Sequence, residues 1–564
     1  MPQPCKILLV VPRFYGQSFW NFAAACELYG AKFPSAPLGL ITVAALLPKS
    51  WECRLVNCNT EELTGADLDW ADMVMTGGML PQRPDTLAVI ALAQQHGKPV
   101  VVGGPDVTLS PDEYASADFR VLGEAEEIIG AFIAAWESGT RQGLFEAPKF
   151  TTDVTKTPVP RFDLLQRSQY LYLGVQFSRG CPFACEFCDI IELYGRVSRT
   201  KTTQQILGEL DALYRLGYRG HLDFVDDNFI GNKLAVKAFL PHLIAWQKAH
   251  GYPFGFSTEA SINLADDDAL LALMREANFF TVFVGIESPD TATLVAVNKK
   301  QNTRRDVAEG VKKIYRAGMF VNGGFILGFD TEKGSVADAM IALIDETAIP
   351  VCTVGLLYAL PKTQMTRRLA AEGRLFPTSY TEGQANSGVG DHCTTGLNFA
   401  TARPRRDILM DYKKVLQNVF SPAAYFGRVR KMILALDRPV LISDPGAKPP
   451  PAKPPLRIGP VALNDLRLLG RLVWRIALHQ PTALWPFAKV FVACARRNPG
   501  ALEYVGVMAA LFLHLGPFSR YVMRSLDGQI AQIDAGEWRS PLGNTPWPAQ
   551  QAPAAALRAK ITAG

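Results

Sequence analysis

The sequence is poor in histidine, with seven among 564 residues and none before His96. No GxGxxG follows the first apolar run and no GxxxxGK[ST] occurs, so the residues give little support to a dinucleotide-binding or P-loop protein. The first residues lack a signal-peptide pattern. Tyr504–Ser519 is uncharged for sixteen residues, fewer than the roughly 20 that cross a bilayer. We therefore expect a cytoplasmic protein.

Charge is distributed unevenly along the chain. Residues 401–564 contain 23 Lys and Arg against 9 Asp and Glu, a net charge of +14, whereas residues 1–400 carry −9. The hydrophobic content of 48% and the charged content of 20% are those of a globular protein and exclude wholesale disorder. The basic region predicts an anionic partner, either a membrane surface or a nucleic acid.

Residues 1–150 alternate short apolar runs with helical patterns, which predicts a doubly wound, Rossmann-like parallel sheet. Ligands of such a sheet lie at the carboxyl ends of its strands. Glycines follow three predicted strands there, and a glycine lets the backbone approach a ligand closely. The residues at these strand ends are Gly77, Gly78, Gly103, Gly104, Gly123 and Glu124.

Three cysteines, Cys181, Cys185 and Cys188, form a Cys-x3-Cys-x2-Cys motif on a loop that contains glycine and proline. Cysteines of a cytoplasmic protein are reduced, so such a cluster favours metal binding over disulfide bonding. Zinc normally takes a fourth Cys or His, and none lies within thirty residues on either side. Three thiolates suit a 4Fe–4S cluster that keeps one iron open.

This motif, with Phe187 before the last cysteine, resembles that of the radical S-adenosylmethionine superfamily. Alternating strand and helix patterns after the motif are similar to that superfamily's partial (β/α)6, TIM-like barrel. We predict its strands at 172–178, 220–226, 253–258, 280–286, 319–327 and 351–358. The resemblance implies a 4Fe–4S cluster that binds S-adenosylmethionine and cleaves it to a 5′-deoxyadenosyl radical, with electrons from a flavodoxin or ferredoxin.

The resemblance also implies where S-adenosylmethionine binds. Phe187 lies in the cluster motif. Asp226 and Asp227 follow the second barrel strand where relatives have a Gly-Gly-Glu-like segment, so this chain departs from the pattern there. Glu259 ends the third strand and Glu287 the fourth. We expect these five residues to contact S-adenosylmethionine. Each carboxylate could equally cap or brace the barrel rim.

A doubly wound domain directly before this barrel resembles the cobalamin-binding subclass of the superfamily. The segments PLGLITVAALLP, VVVGGPDVTLSP and VLGEAEE carry that resemblance. It implies that the glycine-rich strand ends and Glu124 bind cobalamin. The Asp-x-His-x-x-Gly signature is absent, so we expect base-off cobalamin without a histidine ligand. The implied reaction is methylation of an unactivated carbon through a substrate radical and methylcobalamin.

The layout as a whole is similar to hopanoid C-2 methylase-type enzymes. We predict a cobalamin domain at 1–150, the barrel at 165–400, a basic helical domain at 401–540 and a disordered tail at 541–564. A proline-rich linker is predicted at Pro445–Pro455. Arg467, Arg471 and Arg475 recur every four residues and predict a basic helix face. An apolar lipid substrate and peripheral contact with an anionic membrane fit this region.

Three other functions remain open on the sequence. The same cofactors could close a ring or rearrange a carbon skeleton, as in porphyrin cyclase-like relatives. An iron–sulfur electron carrier or a zinc-binding interaction module would need a fourth ligand. A nucleic-acid-modifying enzyme would need basic residues near the barrel mouth, but the body is acidic, so we expect no nucleic-acid partner.

Overall fold

The first layer of the fold is a six-stranded parallel sheet. The computed structural model describes residues 4–14, 18–377, 391–437 and 460–543. In this sheet the spatial order of the strands is β3-β1-β4-β5-β6-β7. The strands are β1 (Lys6–Val11), β3 (Glu52–Asn57), β4 (Met73–Gly77), β5 (Val100–Gly103), β6 (Phe119–Leu122) and β7 (Gly143–Glu146). The predicted doubly wound sheet is confirmed.

Helices cover both faces of this sheet, because parallel strands buried on two sides need cover on each. One apolar cluster forms around Leu8, Val10 and Val74, and another around Ile7, Leu9 and Phe119. Of the helices in this region, α1 (Ala23–Tyr29) packs instead in the barrel's apolar cluster through Ala25 and Leu28. The others are α2 (Leu38–Leu46), α3 (Gly65–Trp70), α4 (Arg83–Gln95), α5 (Pro105–Leu109) and α6 (Ala125–Glu137).

The second layer is a parallel sheet that forms the partial barrel. Six of its strands fall where the sequence predicts them, and the partial barrel is confirmed. They are β8 (Tyr170–Val175), β11 (Gly220–Phe224), β12 (Phe254–Glu259), β13 (Phe279–Glu287), β14 (Phe320–Leu327) and β15 (Val351–Leu356). Two short antiparallel strands, β9 (Ser178–Arg179) and β10 (Arg199–Thr200), flank the cysteine motif.

The barrel sheet has a seventh strand, β2 (Phe33–Ser35), which comes from the amino-terminal region. It pairs in parallel with β8, so that Phe33 lies beside Tyr170 and Ser35 beside Tyr172. Backbone pairing of β2 with β8 therefore joins the amino-terminal region to the barrel. Three residues that include a proline give no strand signal of their own, which is why the sequence does not predict this strand.

Amphipathic helices pack on the outside of the barrel. Side chains cap the start of most of them; for example, Thr202 and Gln205 form a capping box at the first long helix. The helices of this region are α7 (Ile190–Leu193), α8 (Thr203–Arg215), α9 (Lys233–Ala249), α10 (Asp268–Glu276), α11 (Thr291–Ala296), α12 (Val307–Arg316), α13 (Ala337–Thr347) and α14 (Gln364–Ala371).

The carboxy-terminal region is helical, as predicted. Its helices are α15 (Arg405–Val419), α16 (Pro422–Ala435), α17 (Pro460–His479), α18 (Leu484–Arg497) and α19 (Leu502–Asp534). By length and composition, residues 499–534 could span a membrane, but 61% of their most apolar window is buried inside the protein. The predicted linker Pro445–Pro455, and the predicted tail beyond residue 543, lie outside the described residues.

Candidate functional site

The cysteine loop connects β9 to α7. Gly180, which opens it, has a φ of +92°, and an added Cβ would lie 2.6 Å from the carbonyl oxygen of Val197, so only glycine fits. Within the described ranges, no three or more His, Cys, Asp or Glu side chains lie close enough together to hold a single metal ion. A 4Fe–4S cluster takes each thiolate on a different iron, and the free cysteines Cys181, Cys185 and Cys188 of this loop are the thiols available for it.

Two side-chain amides donate hydrogen bonds to the cysteine sulfurs. Asn228 Nδ2 lies 3.8 Å from Cys181 Sγ, and Gln301 Nε2 lies 3.6 Å from Cys185 Sγ. Burial raises the pKa of the Cys188 thiol, so the bound metal's positive charge would have to favour the thiolate. Asn228 follows β11 and Gln301 lies in a short turn after helix 291–296, so neither has a spacing signal that links it to the cysteine motif in the sequence.

Asp226 and Asp227, which follow β11, hold the connection that enters the cysteine loop. Asp226 is buried and accepts hydrogen bonds from the Phe177 amide at 3.0 Å and from both the amide and the hydroxyl of Ser178. Asp227 Oδ2 accepts from the Gly180 amide at 2.8 Å. Burial raises their pKa values, to about 7 for Asp226 and about 6 for Asp227. The two carboxylates thus position the backbone that enters the cysteine loop. That they also bind S-adenosylmethionine stays a prediction.

Glu287 closes β13 in a strained conformation. Its φ of +68° lies in the left-handed region, and the register with β14 shifts at this point. Lys299 Nζ donates to Glu287 Oε1 at 2.7 Å, and Asn302 donates to the carbonyls of Gly285 and Ile286. Such strain persists only where the surroundings hold it, and it clusters at ligand sites. The structure therefore adds Lys299, which lies 6.0 Å from the Phe187 ring, to the candidate site.

A polar chain runs across the inside of the barrel. His221 Nε2 lies 2.6 Å from Ser257 Oγ, and Ser257 donates to Asp223. Burial lowers the pKa of His221 to about 3, so the imidazole is neutral. Glu259 keeps accessible surface although many protein atoms surround it, so it lies in a concave part of the surface at the end of β12. Burial first, and then the charges of Asp223 and Asp227, raise the pKa of Glu259 to about 8.

Aromatic side chains form the wall beside Glu259. Phe283 is the register partner of Glu259 in the neighbouring strand, and its ring lies 5.5 Å from that of Trp20. The segment that carries Trp20 is held on its other side by α19, where His514 Nε2 lies 2.8 Å from the Ser18 carbonyl oxygen. Amino-terminal and carboxy-terminal residues thus meet at the barrel.

A cavity of about 530 Å³ lies between the first sheet and the barrel. Its wall includes all six residues predicted for cobalamin: Gly77, Gly78, Gly103, Gly104, Gly123 and Glu124. At Gly77 an added Cβ would lie 1.9 Å from the Gly103 carbonyl oxygen, so glycine is required for the neighbouring strand ends to pack. No histidine is among the described residues that line this cavity. The glycines let a cofactor approach the backbone closely, and base-off cobalamin without a histidine ligand stays a prediction.

The cavity and the cysteine loop share a wall. Gln176, Arg179, Tyr194 and Val225 of the barrel line the cavity, and Arg179 is two residues from Cys181. Arg179 contacts Glu124 at 3.0 Å and Glu126 at 2.6 Å. Arg199 contacts Glu124 at 2.8 Å. The Glu124 carboxylate therefore joins the two regions as well as lining the cavity.

Comparison with known proteins matches three family models along the chain. These are a B12 binding domain at residues 30–133, the radical SAM superfamily at 175–344, and a domain of unknown function, DUF4070, at 363–527. An uncharacterized methyltransferase of Synechocystis is 42% identical over 93% of this chain and 94% of its own length. The hopanoid C-2 methylase of Rhodopseudomonas palustris is 35% identical, over 92% and 94%.

Among solved structures, the cobalamin-dependent S-adenosylmethionine radical enzyme OxsB is similar in fold. Its TM-score is 0.57 at 14% identity, and the match covers 95% of this chain and 82% of that chain. At that identity the likeness concerns the fold alone. It extends over all three regions described above.

Proposed function

We propose that this chain, which belongs to the cobalamin-binding radical S-adenosylmethionine enzymes and is homologous to their methyltransferases, methylates an unactivated carbon of an apolar substrate. When bound, the cluster and S-adenosylmethionine supply a 5′-deoxyadenosyl radical, and cobalamin supplies the methyl group. The observation that supports methyl transfer is the shared wall of the glycine-lined cavity and the cysteine loop, since it would bring the two proposed cofactor sites together.

The residues of this chain take distinct parts in the proposal. Cys181, Cys185 and Cys188 would hold the cluster, and Asn228 and Gln301 orient two of the sulfurs. The proposed S-adenosylmethionine contacts are Phe187, Asp226, Asp227, Glu259 and Glu287. Cobalamin would bind base-off against the glycine-rich strand ends, with no imidazole donated by the protein.

An apolar, isoprenoid-like carbon skeleton is the proposed substrate, and a hopanoid is one such lipid. Trp20 and Phe283 support it, because their rings provide an apolar surface next to Glu259. His221, Ser257 and Asp223 are hydrogen-bonded to one another inside the barrel, and a polar group of the substrate would bind to this chain. The protein would work in the cytoplasm, in peripheral contact with the cytoplasmic membrane, and would draw electrons from a flavodoxin or ferredoxin.

The test compares lipid extracts of a strain with the gene, a deletion strain, and a strain with the Cys185→Ala variant. Cells are fed methionine labelled with deuterium in the methyl group. We expect one lipid that carries the labelled methyl only in the first strain. Ring closure without label, in the same gene-dependent manner, would refute methyl transfer and support the cyclase alternative. A labelled water-soluble product would refute the lipid substrate but keep the methyl transfer.

A further inference from the structure

Helix α17 carries an exposed stripe that is half basic and half apolar. Arg467, Arg471, Trp474 and Leu478 follow each other at intervals of four, three and four residues, so they share one helix face. Trp474 is 68% exposed and Leu478 is 62% exposed. On the opposite side, Leu472 and Ile476 are buried in the core. The stripe is therefore not the face that packs on the protein.

Helix α18 repeats the pattern. Trp485, Lys489, Val492 and Arg496 have the same spacing, and all four are exposed, with Trp485 at 69%. Lys489 Nζ lies 5.0 Å from the Trp485 ring. The two helices are joined only by the residues from Gln480 to Ala483. Leu478 of α17 and Trp485 of α18 are the stripe residues nearest to that connection, and along α18 apolar and basic residues alternate.

No acidic residue occurs between positions 467 and 500. Within the described residues, Arg475 is the one cation of this stretch with an ion pair, to Glu27 at 2.9 Å. This corrects the predicted three-arginine face: Arg475 packs against α1, while Arg467 and Arg471 point to solvent. The exposed surface thus combines two tryptophans with uncompensated positive charge. That combination is typical of helices that lie in the interface of an anionic bilayer.

We propose that this surface, formed by the stripes of α17 and α18, docks on a membrane that contains anionic lipid. Trp474, Leu478 and Trp485 enter the headgroup region, and the basic residues of the stripes contact lipid phosphates. The inference deepens the peripheral contact proposed above by naming the surface and the lipid charge. It does not depend on methyl transfer.

The test uses the full-length protein and sedimentation with vesicles of phosphatidylglycerol and phosphatidylcholine in equal parts. Each basic residue near an anionic surface contributes about fivefold, so Arg467→Gln with Arg471→Gln should weaken partitioning about twenty- to thirtyfold at low salt. Trp474→Ser with Trp485→Ser should weaken it by about tenfold or more. Leu234→Gln is the matched control, because Leu234 is 82% exposed on the outside of the barrel.

Brominated lipid provides a second readout that does not depend on affinity. It should quench part of the tryptophan fluorescence of the wild type, and that part should vanish in the Trp474→Phe, Trp485→Phe variant, which still binds. Equal sedimentation of the stripe variants and the wild type would overturn this inference and leave peripheral contact elsewhere on the protein. If the wild type does not bind the vesicles, both this inference and the proposed peripheral membrane contact are overturned. A dimer that the stripe variants abolish, without vesicle binding, would assign the surface to a second copy of the chain instead.

Discussion

Loss of the Arg179 guanidinium should loosen the amino-terminal sheet from the barrel. Its side chain is 12% exposed, and it contacts Glu124 and Glu126, which are 4% and 6% exposed. Arg179→Met keeps much of the volume and removes the charge. It leaves Glu126 with the Thr157 hydroxyl, at 2.8 Å, as its remaining side-chain partner among the described residues. Glu124 keeps Arg199.

The cost follows from these contacts. Removing one partner of a buried ion pair lowers the free energy of unfolding by about 3 to 5 kcal/mol. Because Glu124 keeps its other contacts, we expect a loss of about 3 kcal/mol for this variant. Each kcal/mol lowers the transition of a region of this size by about 2 to 4 °C, so the first thermal transition should fall by about 6 to 12 °C. Adding Glu126→Gln removes the uncompensated charge and should restore at least about 1 kcal/mol.

Scanning calorimetry at matched iron content measures these shifts. Arg161→Met is the control, because the Arg161–Asp163 pair, with side chains 38% and 52% exposed, is worth at most about 1 kcal/mol. Burial would raise the pKa of Glu126, but Arg179 outweighs it and holds that pKa below 4.5. Stability from this pair is therefore present above pH 4.5 and lost as the pH falls further. If Arg179→Met lowers the first transition temperature by less than about 2 °C, or if the double variant does not recover part of that decrease, the reasoning is refuted.

Four further predictions concern the site. Replacement of Cys181, Cys185 and Cys188 by alanine should abolish 5′-deoxyadenosine formation, whereas Cys53→Ala should not; product from the triple variant would contradict the cluster assignment. Electron paramagnetic resonance of the Co(II) state should show no nitrogen splitting from a lower axial imidazole. The pKa of His221 falls from about 6.5 to about 3 on folding, so the unfolded chain takes up the proton first and the free energy of unfolding should decrease as the pH drops below 6.5. His221→Asn should make the free energy of unfolding, measured with urea, depend less on pH in that range. At pH 7, Glu259, with a pKa of about 8, is mostly protonated, so Glu259→Gln should change S-adenosylmethionine affinity by less than about threefold in calorimetric titration, and Glu259→Ala should change it more.

The parts of the fold that the sequence predicts are those with a local signal. Strand runs followed by glycine, such as Val100–Gly103, place both the sheet and the wall of the cavity. The cysteine motif needs only a loop of eight residues, from Cys181 to Cys188. Both depend on neighbours in the sequence, so the pattern suffices.

What the sequence does not predict depends on distant contacts. Strand β2 forms because Phe33 pairs with Tyr170 of the barrel sheet. The bend at Glu287 needs Lys299, twelve residues later and across a short helix. Arg475 leaves the predicted basic face because Glu27 is placed beside it by the fold. In each case tertiary packing overrides the local preference.

These distant contacts also limit which parts of the protein can move apart. Strand β2 is hydrogen-bonded into the barrel sheet, and Arg179 and Arg199 bind Glu124 across the same boundary. Separating the glycine-lined cavity from the cysteine loop would break both sets of contacts at once. The segment that carries Trp20 is attached elsewhere: Phe19 and Phe22 contact the rings of Phe518 and His514 on α19. Movement of the segment that carries Trp20 would leave the contacts of β2, Arg179 and Arg199 unbroken, so the glycine-lined cavity and the cysteine loop would stay joined.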